Sequence, residues 1–146
     1  MSLEPFFPLS TQLVAPFWML MIFAPKWRWT RRIASSPWIV APPAILFAVL
    51  TVPAIPEMLP VLTQPTLDGM MGIFSMPESM TAAWMYFLAF DLFMGRWIYP
   101  ETRQRNRSLV WSGIMLFFTL MFGPLGFLVN LVDRTFLGSG TPSFDS

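Results

Sequence analysis

Two ionisable side chains stand inside one long apolar run, and they are the residues with chemistry to offer. Residues 84–99 read Trp84-Met85-Tyr86-Phe87-Leu88-Ala89-Phe90-Asp91-Leu92-Phe93-Met94-Gly95-Arg96-Trp97-Ile98-Tyr99. A charge among hydrocarbon is costly, so an ionisable residue in such a segment is a candidate for function. A helix advances about 100° per residue, which puts Asp91 on one face with Trp84, Phe87, Leu88, Gly95 and Ile98. Gly95, one turn away, leaves room for another helix or a flat ligand to approach the carboxyl. Arg96 lies about 140° round the same helix, so the two charges do not pair with each other. Asp91 therefore needs a partner from another segment or is carried as the neutral acid. A neutral carboxyl in an apolar cleft can protonate an oxygen of a lipid-like substrate. The alternative is structural, with Asp91 bonding a kink or a Trp N–H. Arg96 stands a turn from the end of the run, where its long stem can carry the guanidinium out to headgroups.

The elements that hold these residues belong to a membrane protein. Of 146 residues, 55% are hydrophobic and only 12% charged, against about a quarter charged in an ordinary soluble domain. A chain this short has too much surface to hide so much apolar side chain from water. Cysteine and histidine are both absent, which removes disulfides, thiolate nucleophiles and the usual imidazole ligands of metals. No metal or other cofactor is expected. No basic stripe with stacking aromatics marks a nucleic-acid partner. The opening Met-Ser-Leu-Glu-Pro-Phe-Phe has neither the basic start of a signal peptide nor the Arg/Ser-rich pattern of a transit peptide.

Four apolar segments follow, at 6–24, 37–55, 79–99 and 109–132, each near the length a transmembrane helix needs. The expected fold is all-α: one integral-membrane domain of four antiparallel transmembrane helices over residues 1–146, with 133–146 a flexible tail. Pro16 and Pro124 are expected to kink the first and last helices. Pro42-Pro43 fit the first turns of the second, while Pro53, Pro56 and Pro60 should stop it near Val52. A short interfacial helix is expected over 66–74, and Pro77-Glu78-Ser79 form a helix start.

Seven of the nine Lys/Arg fall in the turns after segments one and three, and six of the eight acids (Glu4, Glu57, Asp68, Glu78, Asp133, Asp145) fall opposite. The positive-inside rule then places the basic turns in the cytoplasm or its equivalent and both termini on the lumenal or periplasmic side. Trp27 and Trp29 among Lys26, Arg28, Arg31 and Arg32 are an interfacial anchor, with binding of anionic headgroups the functional alternative. Gly123-Pro124-Leu125-Gly126 reads as a bent helix with a packing groove. Gln12 and Asn130 are expected to pair near the outer side, and Ser112 and Thr119 to return their hydroxyls to the backbone.

The stretch Phe90-Asp91-Leu92-Phe93-Met94-Gly95-Arg96-Trp97-Ile98-Tyr99 resembles the signature of the abscisic-acid-deficient-four-like membrane family. Pro77-Glu78 and Phe122-Gly123-Pro124-Leu125-Gly126-Phe127 extend the likeness over nearly the whole chain. The resemblance implies a four-span membrane protein of a thylakoid or bacterial inner membrane, with a carotenoid ligand. For plant members it implies neoxanthin synthesis, in which an epoxy-xanthophyll is isomerised to an allenic one without redox change. Asp91 would then be the acid at the epoxide oxygen, and Arg96 would steady the developing alkoxide. Trp84, Tyr86, Phe87, Gly95, Trp97, Tyr99, Gly123, Pro124 and Gly126 are the substrate contacts this implies. The competing expectation is a non-catalytic pigment-binding subunit or partner of a photosynthetic membrane complex. A small transporter fits worst, since no inverted repeat is present.

Overall fold

A computed structural model describes residues 6–136, and every element among them is helical. Helix α1 (Phe6–Phe23) runs through Pro16 without a break and ends at Pro25 and the basic turn. A short amphipathic helix, α2 (Arg28–Ser35), follows; it buries Thr30 and Ala34 and exposes Arg28, Arg31 and Arg32.

The second apolar segment is longer than its prolines suggest. It begins as a 3-10 turn (Pro37–Val40), becomes α3 (Ala41–Thr51), tightens at Val52–Ala54 and continues as α4 (Ile55–Thr63). Pro53 and Pro56 sit in the first two positions of their pieces, where a missing N–H costs nothing. The expected stop near Val52 is thus replaced by a change of helix type, and the apolar rod extends over Pro37–Thr63. Helix α5 (Leu67–Phe74) starts at Thr66, whose hydroxyl accepts from the Gly69 N–H, as the interfacial reading of 66–74 anticipates.

Helix α6 (Pro77–Gln104) opens with proline at its first position and carries on through Pro100, five residues beyond the expected end at Tyr99. Its 28 residues make a rod about 42 Å long. It is the central element, packed against α1, α3 and α7. Contacts run in register with α1: Phe7 stacks on Trp84, Trp18 lies on Gly95, and the Tyr99 hydroxyl donates to Pro25 O. These two helices are therefore parallel. The rod from Pro37 runs the other way, with Phe47 beside Tyr86 and Ser36 O accepting from Arg96 Nε.

Helix α7 (Leu109–Phe136) overturns the four-rod expectation. Phe122 is non-helical (φ −144°, ψ 49°) and joins two helical arms, 109–121 and 123–136. The arms fold back on each other: Trp111 Nε1 donates to Asp133 Oδ1 at 2.9 Å, and Gly126 packs on the Thr119 backbone. Those pairs share nearly one residue sum, the mark of antiparallel arms. Each arm is about 20 Å long, well short of a hydrocarbon core of about 30 Å. The break falls at Phe122 because Pro124 has no N–H and takes an early position of the second arm, while Gly123 and Gly126 let the arms touch.

Among the described residues three helical stretches, Phe6–Phe23, Pro37–Thr63 and Leu109–Phe136, are long and apolar enough to cross a membrane by length and composition, and α6, expected as a span over 79–99, is not one of them. The last of the three is the hairpin. Outward faces are apolar too: Phe23, Val110 and Phe136 are each more than 70% exposed. The core is a seam of Val14, Trp18, Leu88, Leu92, Ile98 and Leu116 where α1, α6 and the first arm of α7 meet.

Candidate functional site

Asp91 lies at the midpoint of α6, 14 residues beyond its first residue, or about 21 Å along the axis. The hairpin positions its other wall. The first arm runs antiparallel to α6, with Ser112 accepting from Arg103 Nη2, so its tip arrives at the level of Asp91. There Gly123, the first residue after the break, lies directly under the Asp91 carboxyl, and a Cβ at that position would run into Oδ1. Only glycine admits the contact.

Among the described residues the carboxyl has no hydrogen-bond or ion-pair partner. The side chains of α6 that bond to other segments are Trp84, Arg96, Tyr99, Glu101 and Arg103, and none of the ion pairs among the described residues includes Asp91. It is half-buried rather than sealed. Glu78 and Glu101 stand about 20 Å and 15 Å away along the helix, so no second acid from α6 reaches it.

One turn on, the space beside Gly95 is occupied. The Trp18 indole lies against Gly95, where a Cβ would come within 2.6 Å of the ring. The flat group that sequence reasoning allowed beside Gly95 is thus supplied by the chain itself. Trp18 is 2% exposed and its Nε1 has no hydrogen-bond partner among the described residues. Sequence reasoning missed Trp18, although its spacing from Val14 and Met21 marks the buried stripe of α1.

The remaining candidates disperse. Arg96 turns away from Asp91 and donates from Nε to Ser36 O and from Nη2 to Ser35 O, both at 3.1 Å. It ties α6 to the junction after α2. Tyr99 is buried and tied to Pro25 O at 2.6 Å. Trp84 stacks on Phe7 and donates to Thr11 Oγ1. Tyr86 faces α3 with Phe47, Phe90 and Phe93 along a shallow apolar slot of about 260 Å³. Phe87, Trp97 and Pro124 are exposed, and Gly126 is consumed by the hairpin crossing. Of the candidates from other segments, the structure brings Gly123 to Asp91; Phe87 and Gly95 flank it by one turn on its own helix, and Gly95 is covered by Trp18.

A second polar centre closes the open end of the hairpin. Asp133, 1% exposed, receives Arg105 Nη1 at 2.9 Å, Arg107 Nε at 3.0 Å and the Trp111 indole N–H. Asn130 Oδ1 accepts from Arg105, and its Nδ2 donates to Glu101 Oε2. Asp133 and Asn130 therefore stand at the basic end, not opposite it, because the fold-back returns them there. Asn130 consequently does not pair with Gln12, which is exposed. Asp133–Phe136 belong to the helix rather than to a tail, and 137–146 lie outside the described residues. Ser112 and Thr119 return their hydroxyls to Ser108 O and Met115 O as expected. No group of three or more acidic, His or Cys side chains suited to a metal ion occurs among the described residues.

Comparison with known proteins agrees with the signature around Asp91. Protein ABA DEFICIENT 4, chloroplastic, of Arabidopsis thaliana is 28% identical over 141 residues, covering 91% of this chain and 62% of the relative. The chain thus spans under two thirds of that relative's length. No solved structure matches. The model described as ABA DEFICIENT 4-like matches residues 5–129, a range that holds α1, α6, Asp91 and the hairpin tip, and the chain belongs to that family.

Proposed function

We propose that this chain is a membrane-embedded carotenoid-handling protein that isomerises an epoxy-xanthophyll to an allenic one at Asp91. The observation that carries the reading is the unpartnered Asp91 carboxyl, held at mid-helix against Gly123 in a member of the ABA DEFICIENT 4-like family. In this reading α1, the Pro37–Thr63 rod and α6 cross the bilayer. The hairpin enters from the basic side and turns at mid-depth. The basic end then faces the cytoplasm or stroma, and the described end of α7 lies on that side rather than with the N-terminus.

The reaction needs a proton at the epoxide oxygen and a proton removed from the neighbouring carbon. With no second acid of α6 within reach, one carboxyl does both. The neutral Asp91 gives its proton to the oxygen as the carbon–oxygen bond breaks. Its other oxygen takes the proton from the adjacent vinylic carbon, and that C–H pair becomes the new double bond of the allene. The carboxyl ends protonated, and no oxidant or reductant is consumed. The apolar surroundings keep water from capturing the cation-like carbon.

The test is conversion of an epoxy-xanthophyll by protein reconstituted in liposomes, resolved by liquid chromatography. Wild type is expected to form the allenic isomer, and Asp91→Asn is expected to form none while inserting normally. No product from correctly inserted wild type overturns catalysis. The aromatic slot between Phe47, Tyr86 and Phe90 favours one second reading, a pigment-binding protein. Under it, pigment co-purifies unchanged with wild type and Asp91→Asn alike.

A further inference from the structure

Among the described residues, the α1–α2 turn and the start of α2 gather four cations that no acidic side chain meets. At that end, Asp133 is occupied by Arg105 and Arg107, and Glu101 by Arg105 and Arg134. Arg96 is spent on the carbonyls of Ser35 and Ser36, and Arg103 on Arg107 O and Ser112. Lys26, Arg28, Arg31 and Arg32 are all exposed, and none has a carboxylate partner among the described residues. Arg28 and Arg32 both lie over the Trp29 ring, which holds two of these cations together in spite of their repulsion.

A groove begins one residue before this cluster. It has a volume of about 500 Å³ and runs between the end of α1 and the first arm of α7, lined by Ile22, Pro25, Leu109, Gly113, Ile114 and Phe117 among others. Its lining is apolar apart from backbone. From Leu109 at the basic end to Phe117 it descends about 12 Å towards the hairpin tip. Gly113 is part of the lining, and a Cβ there meets nothing within 4 Å, so a larger side chain finds open space beside the groove.

We propose that this groove and the Lys26–Arg32 cluster together bind one anionic membrane lipid. One acyl chain lies along Gly113 and Ile114, and the charged headgroup rests on the cations of the α1–α2 turn. Charge complementarity selects the occupant. A neutral lipid fills the channel but leaves four cations unmatched, and a free anion matches the cations but leaves the channel empty. The lipid wedges α1 against the first arm of α7, the arm that carries the hairpin tip to Asp91. The proposal rests on the membrane reading above but not on any reaction at Asp91.

The experiment is thermal unfolding of the full chain in a non-ionic detergent. Phosphatidylglycerol, phosphatidylcholine and inorganic phosphate are added separately to wild type, Gly113→Leu and the double variant Lys26→Gln/Arg28→Gln. Phosphatidylglycerol at about a hundred times its dissociation constant is expected to raise the wild-type Tm by roughly 5 °C. Phosphatidylcholine and phosphate are expected to have no such effect. Gly113→Leu should fold, since its side chain enters open space, and lose the response; the double variant should lose most of it. Equal shifts with both lipids, a shift with phosphate alone, or an unchanged response in Gly113→Leu would each overturn the proposal. The readout needs no carotenoid, so its failure leaves the isomerase reading untouched, and the reverse holds as well.

Discussion

The Asp91 carboxyl and the Cα of Gly123 are in direct contact, so the residue with the chemistry is seated on the turn of the helical hairpin. The atom that would be displaced by a larger residue at 123 is a carboxylate oxygen, the free end of a rotatable side chain. Adding a methyl group there is therefore expected to turn the carboxyl aside without unfolding the chain. A misplacement of about 1 Å costs on the order of a hundredfold in rate. Gly123→Ala should lower turnover of the epoxy-xanthophyll by about that factor and leave Tm nearly unchanged. Activity and melting measured on one preparation check both halves.

Gly126 offers the opposite case. A Cβ there runs into the N and Cα of Thr119, backbone atoms of the other arm that cannot swing away. Gly126→Ala must part the arms, at a cost of about 3 kcal/mol for overpacking a close crossing. Its Tm should fall clearly where that of Gly123→Ala does not, although the two glycines are three residues apart. Melting the two variants side by side measures the difference.

The contrast also explains what the sequence made legible. Helices in the first three segments and the α5 start at Thr66 follow from local composition and spacing, and all are present. The signature glycine 123 was legible as a place of close approach. Its partner was not, because the contact depends on where the hairpin turns. Leu109–Val132 has the length and hydropathy of a span, and nothing local distinguishes a proline kink from a reversal at Phe122. The clue lay at longer range: Asp133 and Asn130 would be polar residues without partners on the acidic side, whereas two arginines and Trp111 await them on the basic side. Helix α6 hid its true length because Pro100 looks like a terminator, yet the helix runs on to Gln104, with Glu101 and Arg103 of its last turn bonded to the hairpin arms.

Asp133 is the fastening of that hairpin. It is buried, and two guanidinium groups and one indole N–H converge on its two oxygens. Removing one member of a buried ion pair leaves charge uncompensated, at a cost of about 3–5 kcal/mol. Asp133→Ala is expected to destabilise the chain by about that amount. It should also lower activity at Asp91, some 15 Å away along the arm, because the tip loses its fixed height. Arg107→Gln removes one of two cations and should cost less. Chemical unfolding of the two variants, read by Trp fluorescence, ranks them.

The fold-back fixes which parts of the chain share a side of the bilayer, and the absence of cysteine makes that directly measurable. Single cysteines at Arg28, Met71 and Thr135 occupy exposed positions in the α1–α2 region, α5 and the second arm of α7. With the arms antiparallel, position 135 lies with position 28 at the basic end, and position 71 lies at the other. A membrane-impermeant maleimide added to sealed, oriented vesicles should therefore label 28 and 135 together and 71 alone. Four full spans would instead pair 135 with 71. Because Asp133 joins Arg105 and Arg107 only when the hairpin returns, Asp133→Ala should blur the labelling at 135 while that at 28 and 71 stays as in the parent. That result would tie the position of the described end of α7 to the same ion pair that fastens the hairpin.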